Sequence, residues 1–235
     1  MRKQKSARIF WVVLTIITLV IAGYCYYQDR QTLSVTTTAT QRTVDPNSNL
    51  AIDRLESLSV KPAETGDDYE RANFSSGWSS WRSCNVRQKI LNRDIRDAQV
   101  ADNGCTVIKG TLNDPYSGQE IELSNKTAVS KKVQIDHVVA LSNAWQTGAR
   151  YLSADERKQL ANDDLELIAV SSSANQDKSD GDASEWLPEN QSFQCAYIAR
   201  QIAVKLKYRL WVTTTEKAAM INVLNTCPDE PLPAE

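Results

Sequence analysis

The chain contains a single histidine, His137, preceded directly by Asp136 at the end of the apolar stretch Val133-Gln134-Ile135. An imidazole changes charge near neutral pH, which suits it to taking a proton in a hydrolytic step. Polar side chains follow in order: Glu166 within the run Leu165 to Val170, then Asn175, Asp177, Lys178 and Asp180. One histidine and the lack of a CxxC pair exclude a His-rich cluster, a zinc finger and a zinc ribbon. GxxxxGK[ST], GxGxxG and GxSxG are all missing, which removes the P-loop, Rossmann and serine-hydrolase readings.

The elements that must position these residues can be read from periodicity. Leu55 and Leu58 have helical spacing, and Asn85 to Asp97 is a charged, helical stretch. Cys105 to Leu123 reads as a hairpin turning through Asn113-Asp114-Pro115-Tyr116-Ser117-Gly118. Lys132 to Ile135 is a strand that ends at Asp136-His137. Ser153 to Glu156 is a capping box opening a helix. Leu165 to Val170 is a short apolar strand, and Ser171 to Lys178 turns into a helix. Cys195, Ala199, Ile202, Leu206 and Leu210 recur at helical spacing, so 195–210 is a buried-face helix. Thr213 to Glu216 is a second capping box, and Pro228 stops the helix it opens. Helices and short strands mix without regular βαβ alternation, so the expected class is α+β. Arg200, Lys205, Lys207 and Arg209 cluster near one helix end, either as a solvated edge or as a nucleic-acid contact.

A strand ending in Asp-His, a second strand, then a helix bearing Asn and Lys is the order of a ββα-metal finger. The chain resembles the HNH-type nuclease domain found at the C-terminus of the GmrSD modification-dependent restriction endonucleases. It is especially similar to the exported, stand-alone bacterial members, over residues 50–228. The series Gly66-Asp67-Asp68-Tyr69, Arg93-Asp94, Asp114-Pro115-Tyr116, Gln134 to Leu141, Ala161-Asn162-Asp163, Asn175, Lys178 and Trp186-Leu187-Pro188 falls as in that family.

The resemblance implies a ββα-metal (HNH) core embedded in further helices and a β-hairpin, and hydrolysis of phosphodiester bonds in nucleic acid, DNA ahead of RNA. His137 is then the general base. A divalent cation, Mg²⁺ with Mn²⁺ as the alternative, is held by the Asp136 carboxylate and the Asn175 amide oxygen. Neighbouring strand residues face opposite ways, so Asp136 and His137 serve one site only where the strand ends and the chain turns. Lys178 and Arg87 are the expected phosphate contacts. Glu166 stands where many relatives carry Asn. It is expected to orient His137 through a hydrogen bond and, by its charge, to raise the imidazole pKa. The rival reading is a catalytically inactive cell-envelope binding protein that keeps the fold.

Length and charge set the context. The 235 residues suit one domain with appendages, and a net charge of −2 argues against a broad non-specific nucleic-acid surface. Arg2, Lys3, Lys5 and Arg8 precede an uncharged run at residues 9–27, long enough to cross one hydrocarbon core. That segment is either a signal anchor with its N-terminus in the cytoplasm or a cleaved signal peptide, and both place the remainder outside. Residues 28–49 read as a polar linker, 50–228 as the nuclease domain and 229–235 as a tail. Cys84, Cys105, Cys195 and Cys227 in an exported domain suggest two disulfides. Of the three connectivities, the sequence-local one, Cys84–Cys105 with Cys195–Cys227, is the expected one.

Overall fold

A computed structural model describes residues 20–24 and 48–233. The chain divides into two units, Met1–Thr43 and Val44–Glu235, and the second carries the elements below. The expected anchor or signal segment at residues 9–27 lies outside the described residues except for the helical 20–24, and so does most of the linker. Among the described residues no helix is long and apolar enough to cross a membrane.

The fold is α+β. Helix α1 (Ala51–Leu55) is followed by a two-residue pair, β1 (Ser80–Trp81) against β2 (Cys84–Asn85). Helix α2 (Val86–Asp94) starts at once because the Asn85 side chain caps it, accepting from the Gln88 amide. The helical expectation for residues 85–97 overshoots. Ile95–Val100 is instead β3, the outer strand of a three-stranded antiparallel sheet with β4 (Val107–Asn113) and β5 (Glu120–Leu123). The expected hairpin is β4–β5. β3 escaped notice because only Ile95 in it is buried, so its polar residues show no alternation. Helix α3 (Lys126–Lys132), capped by Asn125, buries only Val129 and has equally little signature.

The site-bearing unit follows. Strand β6 (Val133–His137) pairs antiparallel with β7 (Leu167–Ser171), in the register Asp136↔Ile168 and His137↔Leu167. Between them run α4 (Leu141–Gln146) and α5 (Ala154–Leu160), the latter opened by the expected capping box of Ser153 and Glu156. Helix α6 (Ser172–Lys178) leaves β7 directly, its first turn capped by the Ser171 hydroxyl. Two helices close the fold, α7 (Gln191–Lys207) and α8 (Thr214–Leu224), the second with its capping box of Thr213 and Glu216.

Strand β7 is buried on both faces. Leu167 and Ala169 join a core formed by α2, the three-stranded sheet and α3, while Ile168 and Val170 join the core of α1, α4, α7 and α8. Among the described residues no third strand pairs with its outer edge, and side chains take the place of one. Asp94 accepts from the Ala169 amide at 2.8 Å and Asp114 from the Ser171 amide at 3.1 Å. Arg93 and Arg200 donate to the Leu167 carbonyl at 2.7 and 3.0 Å. Buried backbone polar groups need such partners, and these four side chains supply them.

Both disulfides join as expected, Cys84–Cys105 and Cys195–Cys227. Arg200 and Lys205 of the basic cluster are turned to internal use, while Lys207 and Arg209 keep solvent exposure as paired surface charges. Arg200 holds backbone carbonyls, Lys205 is buried against Glu216 at 2.8 Å, Lys207 pairs with Asp163 and Arg209 with Glu156. Glu230 and Leu232, set apart above as tail, pair with the start of the domain through Ala51 N–H to Glu230 O and Leu232 N–H to Asn49 O, both 2.8 Å.

Candidate active site

Asp136 and His137 are the last two residues of β6, where the chain turns away from the strand, and both line one cleft of about 780 Å³. Asn175 reaches the same cleft from α6 and Arg87 from α2. Lys178 and Glu166 lie outside its lining. Four of the six expected residues are therefore brought together, and the other two sit behind them.

The imidazole is held on two sides. His137 Nε2 lies 3.0 Å from the Ala161 carbonyl oxygen. A carbonyl only accepts, so Nε2 carries the hydrogen and the neutral ring keeps its lone pair on Nδ1. Trp78 stacks on the ring, with centroids 5.9 Å apart and planes 4° from parallel. The two flanking segments are tied together, since the Ser79 amide donates to Asn162 Oδ1 at 2.9 Å. Burial pushes the imidazole pKa down to about 3. The Ala161 hydrogen bond opposes that shift, and the Arg71 and Lys178 charges reinforce it. At neutral pH His137 is an uncharged acceptor.

Asp136 sits below it, 6% exposed. The Tyr116 hydroxyl donates to its Oδ2 at 2.5 Å, and the Lys178 ammonium lies 3.0 Å from its Oδ1. Burial raises the Asp136 pKa, against the lowering effect of Lys178 and Tyr116. Lys178 also donates to the His137 carbonyl at 2.9 Å, and its side chain is fully buried. It stands behind the carboxylate, with its donors turned inward. Arg87 donates one bond, at 3.4 Å, to the Val133 carbonyl and is half-buried.

Glu166 is fully buried in the loop that enters β7. Its Oε2 accepts from the Val139 amide at 3.2 Å, and its backbone carbonyl accepts from the Val138 amide at 2.9 Å. The partner seen at His137 is the Ala161 carbonyl, where the sequence pointed to Glu166. Glu166 instead pins the turn after His137. Its Oε1 has no hydrogen-bond partner among the described residues. Burial pushes its carboxyl well above the usual carboxylate range. The imidazole pKa moves down, contrary to the expected effect of a nearby Glu, because desolvation dominates.

Residues that sequence reasoning missed include Arg71, Trp78, Tyr116 and Ala161. Tyr116 lies in a motif the resemblance had already marked. Trp78 belongs to none of the motifs noted above. Arg71 belongs to no motif, and a backbone carbonyl such as that of Ala161 has no sequence signature.

The oxygen atoms expected to hold a divalent cation are those of Asp136, already paired with Lys178 and Tyr116, and the amide oxygen of Asn175. The Asn175 amide nitrogen is spent on Gln134 Oε1 at 2.6 Å, which leaves its Oδ1 as the open atom on the wall it shares with Asp136. One carboxylate and one amide oxygen, completed by water and phosphate, are a donor set that Mg²⁺ accepts. Among the described residues no three His, Cys, Asp or Glu gather as a metal cluster.

The chain belongs to the family of GmrSD restriction endonucleases, C-terminal domain, whose profile matches residues 84–223. A protein of Arthroderma benhamiae described as an "Uncharacterized secreted protein" is 39% identical over 184 residues, which cover 77% of this chain and 87% of that protein. No solved structure matches. The family indicates a nuclease-type domain, and the two disulfides fit an extracytoplasmic location.

Proposed function

We propose that the chain is an exported, metal-dependent endonuclease of the HNH type that hydrolyses phosphodiester bonds in nucleic acid, DNA ahead of RNA. The observation that carries this reading is the His137 tautomer. Nε2 is committed to the Ala161 carbonyl at 3.0 Å, and Nδ1 is left to accept a proton. A base must be unprotonated at working pH; burial keeps this imidazole so, while making it a weaker base than a free histidine. Trp78 and Ala161 hold the ring plane, so the water proton is taken by an acceptor that needs no reorientation.

Asp136 and Asn175 would hold the divalent cation, Mg²⁺ or Mn²⁺, which when bound stabilises negative charge on the phosphate and its leaving oxygen. Tyr116 and Lys178 fix the Asp136 carboxylate, and Gln134 fixes the Asn175 amide. Residues 9–27 deliver the domain across the membrane, either as an anchor or as a cleaved signal.

The test is nicking of plasmid DNA and cleavage of RNA by the purified chain, with and without chelator and beside His137→Ala. Chelator-sensitive cutting that the variant lacks is the expected result. Nucleic-acid binding without cutting by the parent, at saturating Mg²⁺ or Mn²⁺, would instead leave an inactive binding protein.

A further inference from the structure

The cleft contains the charge for a phosphate, but not on the lysine where the sequence placed it. Lys178 is occupied by Asp136 and the His137 carbonyl. Arg87 is half-buried and bonded to the Val133 carbonyl. A third cation, Arg71, lines both the main cleft and a smaller hollow of about 100 Å³ that His137 shares with Trp78 and Ala161. Among the described residues no hydrogen bond or ion pair engages the Arg71 guanidinium, and the residue is exposed.

Its backbone, by contrast, is firmly held. Arg71 opens a short 3-10 turn, Arg71–Asn73. The Arg157 guanidinium donates to the Asn73 carbonyl at 2.7 Å, and Phe74 just beyond is 2% exposed, edge-on to Trp145. An exposed guanidinium on a fixed stem beside a base is solvated at rest and open to an incoming anion. The guanidinium fork matches two oxygens of a phosphate and stays charged at any working pH.

We propose that Arg71 is a substrate-binding catalytic residue of this site, whose guanidinium takes the non-bridging oxygens of the phosphodiester presented to His137. The proposal rests on the nuclease reading and adds the residue that seats the scissile group. Arg71, His137, Asp136 and Asn175 line one cleft, so a phosphate bound there meets both the Arg71 cation and the expected metal-holding oxygens. Tyr69 and Trp78 border the same cleft beside it. Arg71 thereby supplies charge that needs no metal, so its contribution to binding persists in chelator.

The experiment uses the full chain. Binding of a labelled DNA oligonucleotide and its RNA counterpart is measured in chelator on His137→Ala, alone and combined with Arg71→Ala or Arg71→Lys. Cleavage is measured on the parent, Arg71→Ala, Arg71→Lys and Arg96→Ala. Arg96 is a control, exposed and paired with Asp97 and Glu120 away from the cleft. Loss of Arg71 should weaken binding by about ten- to a hundredfold, the range of a charged hydrogen bond. The slope of log affinity against log salt should fall by about 0.7 for a single strand. Lysine should recover part of both, and a methylphosphonate oligonucleotide, which lacks backbone charge, should bind the two proteins alike. Arg96→Ala should cut like the parent. If the parent cuts while Arg71→Ala binds and cuts with unchanged affinity, rate and salt slope, this inference is wrong and the nuclease reading stands. A parent that neither binds nor cuts DNA or RNA overturns both.

Discussion

The Lys178 ammonium lies 3.0 Å from the Asp136 carboxylate, and the two side chains are 0% and 7% exposed. This buried pair supports the floor of the cleft, Asp136 lining it and Lys178 standing behind, and joins the end of α6 to the end of β6. Breaking such a pair by removing one partner leaves an uncompensated charge, at a cost of about 3–5 kcal/mol. Lys178→Met should therefore lower the denaturant-derived stability by about that amount. Lys178→Met combined with Asp136→Asn should recover much of the loss. Chemical denaturation monitored by tryptophan fluorescence checks both, and a single variant as stable as the parent would show that the pair does not hold the floor.

His137→Ala should cut about 10²–10⁴-fold more slowly, the usual share of a general base, while still binding nucleic acid. Because the folded imidazole titrates at about 3, the acid limb of kcat/KM should fall far below pH 6.5. The same shift has a stability sign. The unfolded chain binds a proton at His137 below about pH 6.5, whereas the folded chain does so only near 3. Stability is thus lost as pH falls through that window. The parent should lose more stability than His137→Gln between neutral pH and the acid end of the window, as a pH series of urea titrations would reveal.

Glu166 behaves in the opposite sense. Its folded pKa lies well above the usual carboxylate value, mainly through burial. The folded state therefore holds the proton that the unfolded state releases, and stability declines as pH rises from the ordinary carboxylate pKa towards the raised one. Glu166→Gln should remove that decline while keeping the acceptor for the Val139 amide. Parallel pH–stability curves for parent and variant would contradict the assignment. Glu166→Asn should keep activity, since His137 takes its orientation from Ala161.

The Cys84–Cys105 bridge closes a sequence separation of 21 beside the β1–β2 pair, just beyond Trp78. In the chain-entropy view a loop of that size contributes about 3 kcal/mol. The Cys84→Ser, Cys105→Ser double variant should lose about that much in denaturant unfolding. Its tryptophan fluorescence should also change as the Trp78 stack on His137 loosens. An unaltered unfolding midpoint would show that the bridge does not brace this segment.

How much of this was legible in the sequence depended on the kind of contact. The end of β6 at His137 could be placed because alternation and a polar stop mark it, and the two capping boxes lie within four residues each. The sequence-local disulfides paired as expected. The position of Lys178 could not be read, since helical spacing from Asn175 tells which face it shares but not that Asp136 lies behind it. The partner of His137 was assigned to Glu166 because a side chain can be seen in a sequence and the Ala161 carbonyl cannot. Arg71 and Trp78 come to the site over a long chain distance, through a segment with no periodicity of its own. β3 and α3 were missed because each buries one apolar residue, too few for a pattern.

The capped rim of β7 has a consequence for the protein among its own copies. A short sheet with open rungs is a template on which another chain can add a strand. Here the rungs at Leu167, Ala169 and Ser171 are already filled by Arg93, Arg200, Asp94 and Asp114. Growth of the β6–β7 sheet from one molecule to the next is blocked at this edge. Losing Asp94 or Asp114 would cost more than one hydrogen bond, because it would open a polymerisation front along this edge.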